Sequence, residues 1–108
     1  MAIFAFSAAT QTTSVTNSAT QIFNTSASGI PTGVTLKDLI IENQGSQTVF
    51  VGGSTVTAAT GLPVPAGAQV TFNGWAFAQG AAGGNVYAIV SSGTAQVTCG
   101  LATVNANA

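Results

Sequence analysis

Charge is almost absent from this chain. Its 108 residues include one Lys, no Arg, no His and two carboxylates, a charged fraction of 3% against about 25% in an ordinary soluble domain. Acid–base catalysis, metal binding and phosphate capture draw mainly on His, Asp, Glu, Lys, Arg and Cys, and the whole stock here is Lys37, Asp38, Glu42 and Cys99. The expectation is a protein that is not an enzyme and needs no cofactor or metal. A net charge of −1 with a single Lys speaks against electrostatic attraction to nucleic acid or to an anionic membrane. One Cys excludes an internal disulfide. No run approaches the roughly 18 apolar residues of a membrane helix, and the opening MAIFAFSAATQTT has no basic stretch ahead of its short apolar cluster. Neither an anchor nor a signal peptide is read there.

What is present is apolar and suited to strands. Leu, Ile, Val and Phe fill 27 positions and the mean hydropathy is +0.49, which excludes the composition of a disordered chain. A folded monomer of this size buries about 64% of its unfolded surface, enough for one core and one domain. Sixteen Thr, eleven Val and six Ile stand against four Leu. β-Branched side chains lose χ1 freedom in helices and pack well on a pleated surface, so this balance predicts β structure.

Residues 1–33 are rich in Ser, Thr, Asn, Gln and Ala, with two apolar islands, Ile3-Phe4-Phe6 and Ile22-Phe23. They read as an extended N-terminal arm or as edge strands. A turn at Ile30-Pro31-Thr32-Gly33 leads into residues 34–104, read as the β-sandwich domain, and residues 105–108 read as a frayed tail. Within the domain, Val34 and Leu36 share one parity and Leu39 and Ile41 the other, which predicts a bulge near Lys37 and Asp38. Gly52-Gly53 between Val51 and Ser54 reads as a two-residue hairpin turn. Pro63 and Pro65 predict an extended connection closed by a turn at Ala66-Gly67. Residues 69–73 alternate with Val70 and Phe72 inward, and residues 74–85 read as a Gly/Ala-rich loop carrying Trp75 and Phe77. Residues 86–90 and 94–99, joined by Ser91-Ser92-Gly93, read as a second hairpin. The fold class expected is all-β, a single β-sandwich or small jelly-roll-like barrel with an extended N-terminal arm.

Few residues compete for a chemical role. Asp38 and Glu42 would lie about 13 Å apart on one strand, too far for a paired-carboxylate mechanism. Cys99 falls in phase with Ala95 and Val97, as a small core residue does, and there is no His to activate it. Gly52-Gly53 and Gly83-Gly84 lack the lysine and spacing of phosphate-binding loops. Aromatic side chains are the better candidates for contact with a partner. Trp75 and Phe77 have little local cover in an Ala/Gly context, with Tyr87 beside them in the chain's aromatic stock, and Ile3, Phe4 and Phe6 crowd three large apolar side chains into six residues.

Several features run together from residue 39 to 97: an Asn ending a strand, a V-x-V-G-G segment, a G-x-P turn, a P-A-G-x-x-x-x-F strand and the run Tyr87-Ala88-Ile89-Val90-Ser91-Ser92-Gly93-Thr94-Ala95. In this the chain resembles small bacteriophage structural proteins, most of all capsid decoration (cement) proteins. The resemblance implies a virion protein on the capsid exterior, bound to the lattice of the major capsid protein and to copies of itself, often as a trimer. It implies synthesis in the host cytoplasm and brings no catalytic residues. A fibre or tail module binding a host-surface carbohydrate or protein through loop aromatics is the alternative. An ice-binding coat would need a regular Thr array, which the spacing denies. A surface of Ser, Thr, Asn, Gln and Gly without charge lacks the repulsion that keeps proteins apart, and fits a molecule packed against a lattice.

Overall fold

Nine strands, β5 and β8 among them with clear period-two burial, form in this computed structural model, which describes residues 3–6, 10–25, 35–77 and 85–105, with side chains for residues 10–25, 38–73 and 85–101. The strands are β1 (Ile3–Phe6), β2 (Gln11–Val15), β3 (Thr20–Phe23), β4 (Thr35–Asn43), β5 (Val49–Gly52), β6 (Leu62–Val64), β7 (Gln69–Phe77), β8 (Val86–Ile89) and β9 (Ala95–Asn105). No helix occurs among the described residues. The strands form two antiparallel sheets, so the protein has an all-β, sandwich-like fold.

The first sheet runs β1-β9-β4-β7, with β2 also on β9. β4 pairs with β9 from Asp38↔Ala102 to Asn43↔Val97. β1 and β2 follow one another along the opposite edge of β9, from Ile3↔Asn105 to Phe6↔Ala102 and from Gln11↔Cys99 to Val15↔Ala95. The two registers differ by an even number of residues, which preserves the alternation of faces. The second sheet has the order β3-β8-β5-β6. Its edge strand β6 contains Pro63, which pairs with Phe50 and is tolerated because an edge residue need not donate to a further strand.

The core lies between the sheets. Val15, Leu39, Ile41, Val97, Cys99 and Leu101 come from the first sheet, and Ile22, Phe23, Val49, Val51, Val64, Val86 and Ala88 from the second. Fully burying an aliphatic or Phe side chain stabilises the fold by about 1.5–3 kcal/mol. Val15, Ile22 and Phe23 belong to residues 1–33. Over its described residues that stretch forms edge strands on both sheets, and no extended arm is seen among them. Val15, Ile22 and Phe23 supply the burial that orders its polar residues. The turn at residues 30–33 lies outside the described residues.

Four local expectations are corrected. Gly52-Gly53 does not turn a two-residue hairpin: such turns need positive φ, and only Gly67 (φ 75°) and Gly93 (φ 70°) have it among the described residues. The chain instead passes through turns, with Val56 N–H donating to Gly53 O at 3.0 Å and Gly61 N–H to Thr57 O at 2.9 Å. It returns as β6, placing Val49 opposite Val64 in place of Val56. The expected second hairpin is an arch: β8 lies in one sheet and β9 in the other. Val90 N–H donates to Thr16 O at 3.0 Å as the chain crosses. Trp75 and Phe77 lie on β7, opposite Lys37 and Thr35, because β4 continues far enough to pair with them; residues 78–84 lie outside the described residues. Asn105 ends β9, leaving only 106–108 of the expected tail, also outside the described residues.

The turn at Ala66-Gly67 forms as read, with Ala68 N–H donating to Pro65 O at 3.0 Å. The irregularity near Lys37 is present too, between Lys37↔Trp75 and Leu39↔Phe72. There, two steps along β4 match three along β7. The extra residue is on β7, so Asn73 and Gly74 together stand opposite Asp38.

Candidate functional site

Strand length sets the geometry of the most distinctive region. At about 3.3 Å per residue, the eleven residues of β9 span roughly 36 Å and the four of β8 roughly 13 Å. The first sheet therefore runs on past the strands of the second. A half-open, mainly apolar cavity of about 310 Å³ marks the step, lined by Val51, Gly52, Gly53, Leu62, Phe72, Asn85 and Val86. Phe72 is the first-sheet residue in this lining, opposite Leu39. Beyond it the sheet continues through residues 73–77 of β7, 35–38 of β4, 102–105 of β9 and all of β1.

This extension contains all five residues singled out for partner contact. Ile3, Phe4 and Phe6 are on β1, paired with Asn105, Val104 and Ala102, and Trp75 and Phe77 are on β7. The two groups stand at opposite edges of the sheet, with β9 and β4 between them. Three strand spacings amount to roughly 14 Å. Tyr87 does not join them: it is half-buried on β8, alternates with the buried Val86 and Ala88, and pairs with Gln21 and Gly52. Leu62, at the rim of the step, is the one large hydrophobic side chain in the exposed class among the described residues, at 49%. Sequence reading passed over it because a three-residue edge strand interrupted by proline carries no usable period.

Two polar clamps brace the sheets, one beside the cavity and one at the far end of β4. Asn43 is fully buried at the end of β4. Its Nδ2 donates to Gln47 O at 2.7 Å and Val64 O at 2.9 Å, and its Oδ1 accepts from Gly45 N–H at 2.9 Å. Its backbone also bonds Ala68 and Gly67. One residue thus ties both sheets and two turns. Thr25, also fully buried, donates its N–H and its hydroxyl to Asn85 Oδ1, each at 2.9 Å, anchoring the chain after β3 beside the cavity. A buried amide stabilises only when its donors and acceptors are matched.

The titratable groups are dispersed. Asp38 and Glu42 are half-buried on β4, four residues apart, and Glu42 accepts a long hydrogen bond from Gln44 Nε2 at 3.4 Å. Cys99 is fully buried among core side chains, and that burial pushes its thiol up to about 12. No cluster of His, Cys, Asp or Glu able to hold a metal ion occurs among the described residues. Among the described residues the titratable side chains are not brought together. Comparison with protein-family models, with curated proteins and with solved structures gives no match for this chain.

Proposed function

We propose that this protein is a structural component of a bacteriophage particle, bound to the outside of the capsid and reinforcing the shell by bridging subunits of the major capsid protein. It acts without catalysis, as a homo-oligomer or in contact with neighbouring copies of itself. The observation that carries this reading is the placement of Ile3, Phe4 and Phe6 on one edge, and of Trp75 and Phe77 on the other edge, of the same end of one sheet, although about seventy residues separate the two groups in the chain. A standard interface buries about 800 Å² per partner around an apolar anchor, and this end holds five of the chain's large apolar residues. The near absence of charge supports the same reading, since attachment then depends little on ionic conditions.

The test is quantitative mass spectrometry of purified particles, paired with binding of Phe4→Ser/Phe6→Ser and Trp75→Ala variants to particles stripped of the protein. A copy number comparable with the shell protein, and weaker binding by both variants, is expected. A few copies per particle, with glycan or host-surface binding lost in Trp75→Ala, would establish a fibre or tail module instead.

A further inference from the structure

The extension begins at a chemically distinctive dipeptide. We infer that Asn73-Gly74 is a site of spontaneous backbone modification, in which Asn73 converts to isoaspartate and aspartate through a cyclic imide. Asn73 is exposed, and its side-chain amide makes no hydrogen bond to the described residues. Asn73 and Gly74 are the two residues that β7 sets against the single Asp38. At such a bulge the ladder is locally disrupted and one residue leaves the extended conformation. In a straight strand the extended backbone carries the following amide nitrogen away from the side chain; departure from it brings that nitrogen nearer Cγ. Gly74 has no Cβ to hinder the approach.

The other described asparagines with a described successor are held. After Asn17, Ser18 N–H donates to Thr16 Oγ1. After Asn24, Thr25 N–H donates to Asn85 Oδ1. After Asn43, Gln44 N–H donates to Gln96 O, and the Asn43 amide is itself fully engaged. After Asn85, whose Oδ1 accepts from Thr25, Val86 pairs with Phe23 in the ladder. None of these successors is glycine.

The step balances with water as the only co-reactant. The Gly74 amide nitrogen loses its proton to solvent base and attacks Asn73 Cγ. A C–N bond forms, the Cγ–Nδ2 bond breaks and ammonia leaves. Water then adds to either imide carbonyl: opening at the side-chain carbonyl gives aspartate, and opening at the main-chain carbonyl gives isoaspartate with one extra backbone carbon. Either product adds a carboxylate to a chain of net charge −1, next to Phe72 of the cavity lining and two residues before Trp75.

The experiment is to incubate the purified full chain in mildly alkaline buffer, follow acidic species by isoelectric focusing, and map them by peptide mass spectrometry with an isoaspartate-specific methyltransferase assay. A parallel sample in denaturant gives the rate without the fold. In the folded protein, Asn73 is expected to convert ahead of every other asparagine, with isoaspartate in excess and a rate that rises with pH. Gly74→Ala should slow the reaction several-fold, and Asn73→Gln should remove the leading acidic species. Circular dichroism selects folded variants, and the wild-type comparison stands if either variant fails to fold. The inference is overturned if another asparagine leads in the folded protein, or if Asn73 keeps its amide there while converting in denaturant.

Discussion

Single side chains here act by fit and by hydrogen-bond matching. Asn43 shows the second most clearly, because its three side-chain bonds join segments from both sheets. Asn43→Ala is expected to cost about 2–3 kcal/mol in denaturant unfolding, the scale of buried groups left unmatched. Asn43→Asp should be worse at neutral pH than at acid pH. Its carboxylate would face two carbonyl oxygens, so the folded state raises its pKa; the variant keeps stability while the group is protonated and loses it as pH rises through the unfolded value near 4. Cys99 gives a second pH dependence in the native sequence. Its thiol rises from 9.0 to about 12 on burial, so only the unfolded chain ionises in between. Cys99 should therefore leave stability flat below about pH 9 and lower it by up to about 1.4 kcal/mol per pH unit toward 12. A thiol reagent at pH 8 should label Cys99 at the rate of unfolding.

At the level of elements, the close approach between β5 and the turns after it is set by glycine. A Cβ on Gly52 would lie 2.9 Å from Val56 Cγ2, and one on Gly61 would lie 2.7 Å from Phe50 Cβ. Gly52→Ala should cost about 1–3 kcal/mol, as overpacking does, and less in a Val56→Ala background, because Val56 is the obstruction; a double-mutant cycle measures the difference. β3 is a further test. Phe23→Ala should cost about 3–5 kcal/mol, and a chain starting at residue 30 should lose its folded circular dichroism signal, since it lacks Val15, Ile22 and Phe23 of the core. Strand character, the inward faces of β7 and β9, the Ala66-Gly67 turn and the burial of Cys99 were legible from period and phase. Pairing was not. Ser91-Ser92-Gly93 can turn a hairpin or carry an arch, and local pattern is the same in both; which forms depends on the Val90–Thr16 hydrogen bond and on a core shared across the sheets. The extension of β7 through Trp75 was hidden because it depends on β4, distant in the chain. The candidate contact residues were picked out by size and context, but their position at one end of the sheet is a property of topology.

For the whole molecule, the scarcity of charge makes stability nearly independent of the ionic medium. With three ionisable Lys, Asp and Glu side chains, the melting temperature should change little with added NaCl or between about pH 5 and 9, as scanning calorimetry at low and high salt would show. The position of β9 bears on a different stage of the protein's life. This strand stands between β1 and β2 on one side and β4 on the other, yet it follows every other described strand. At about 5–20 residues per second, a ribosome makes eight strands before supplying the one that joins most of the first sheet. Until then β1 and β2 have no partner strand and β4 has only β7, and the nascent chain has almost no charge to keep it apart from its neighbours. Folding thus waits on the synthesis of β9: nascent chains arrested with residue 94 outside the exit tunnel should be digested rapidly by protease, and those with residue 105 outside should resist it.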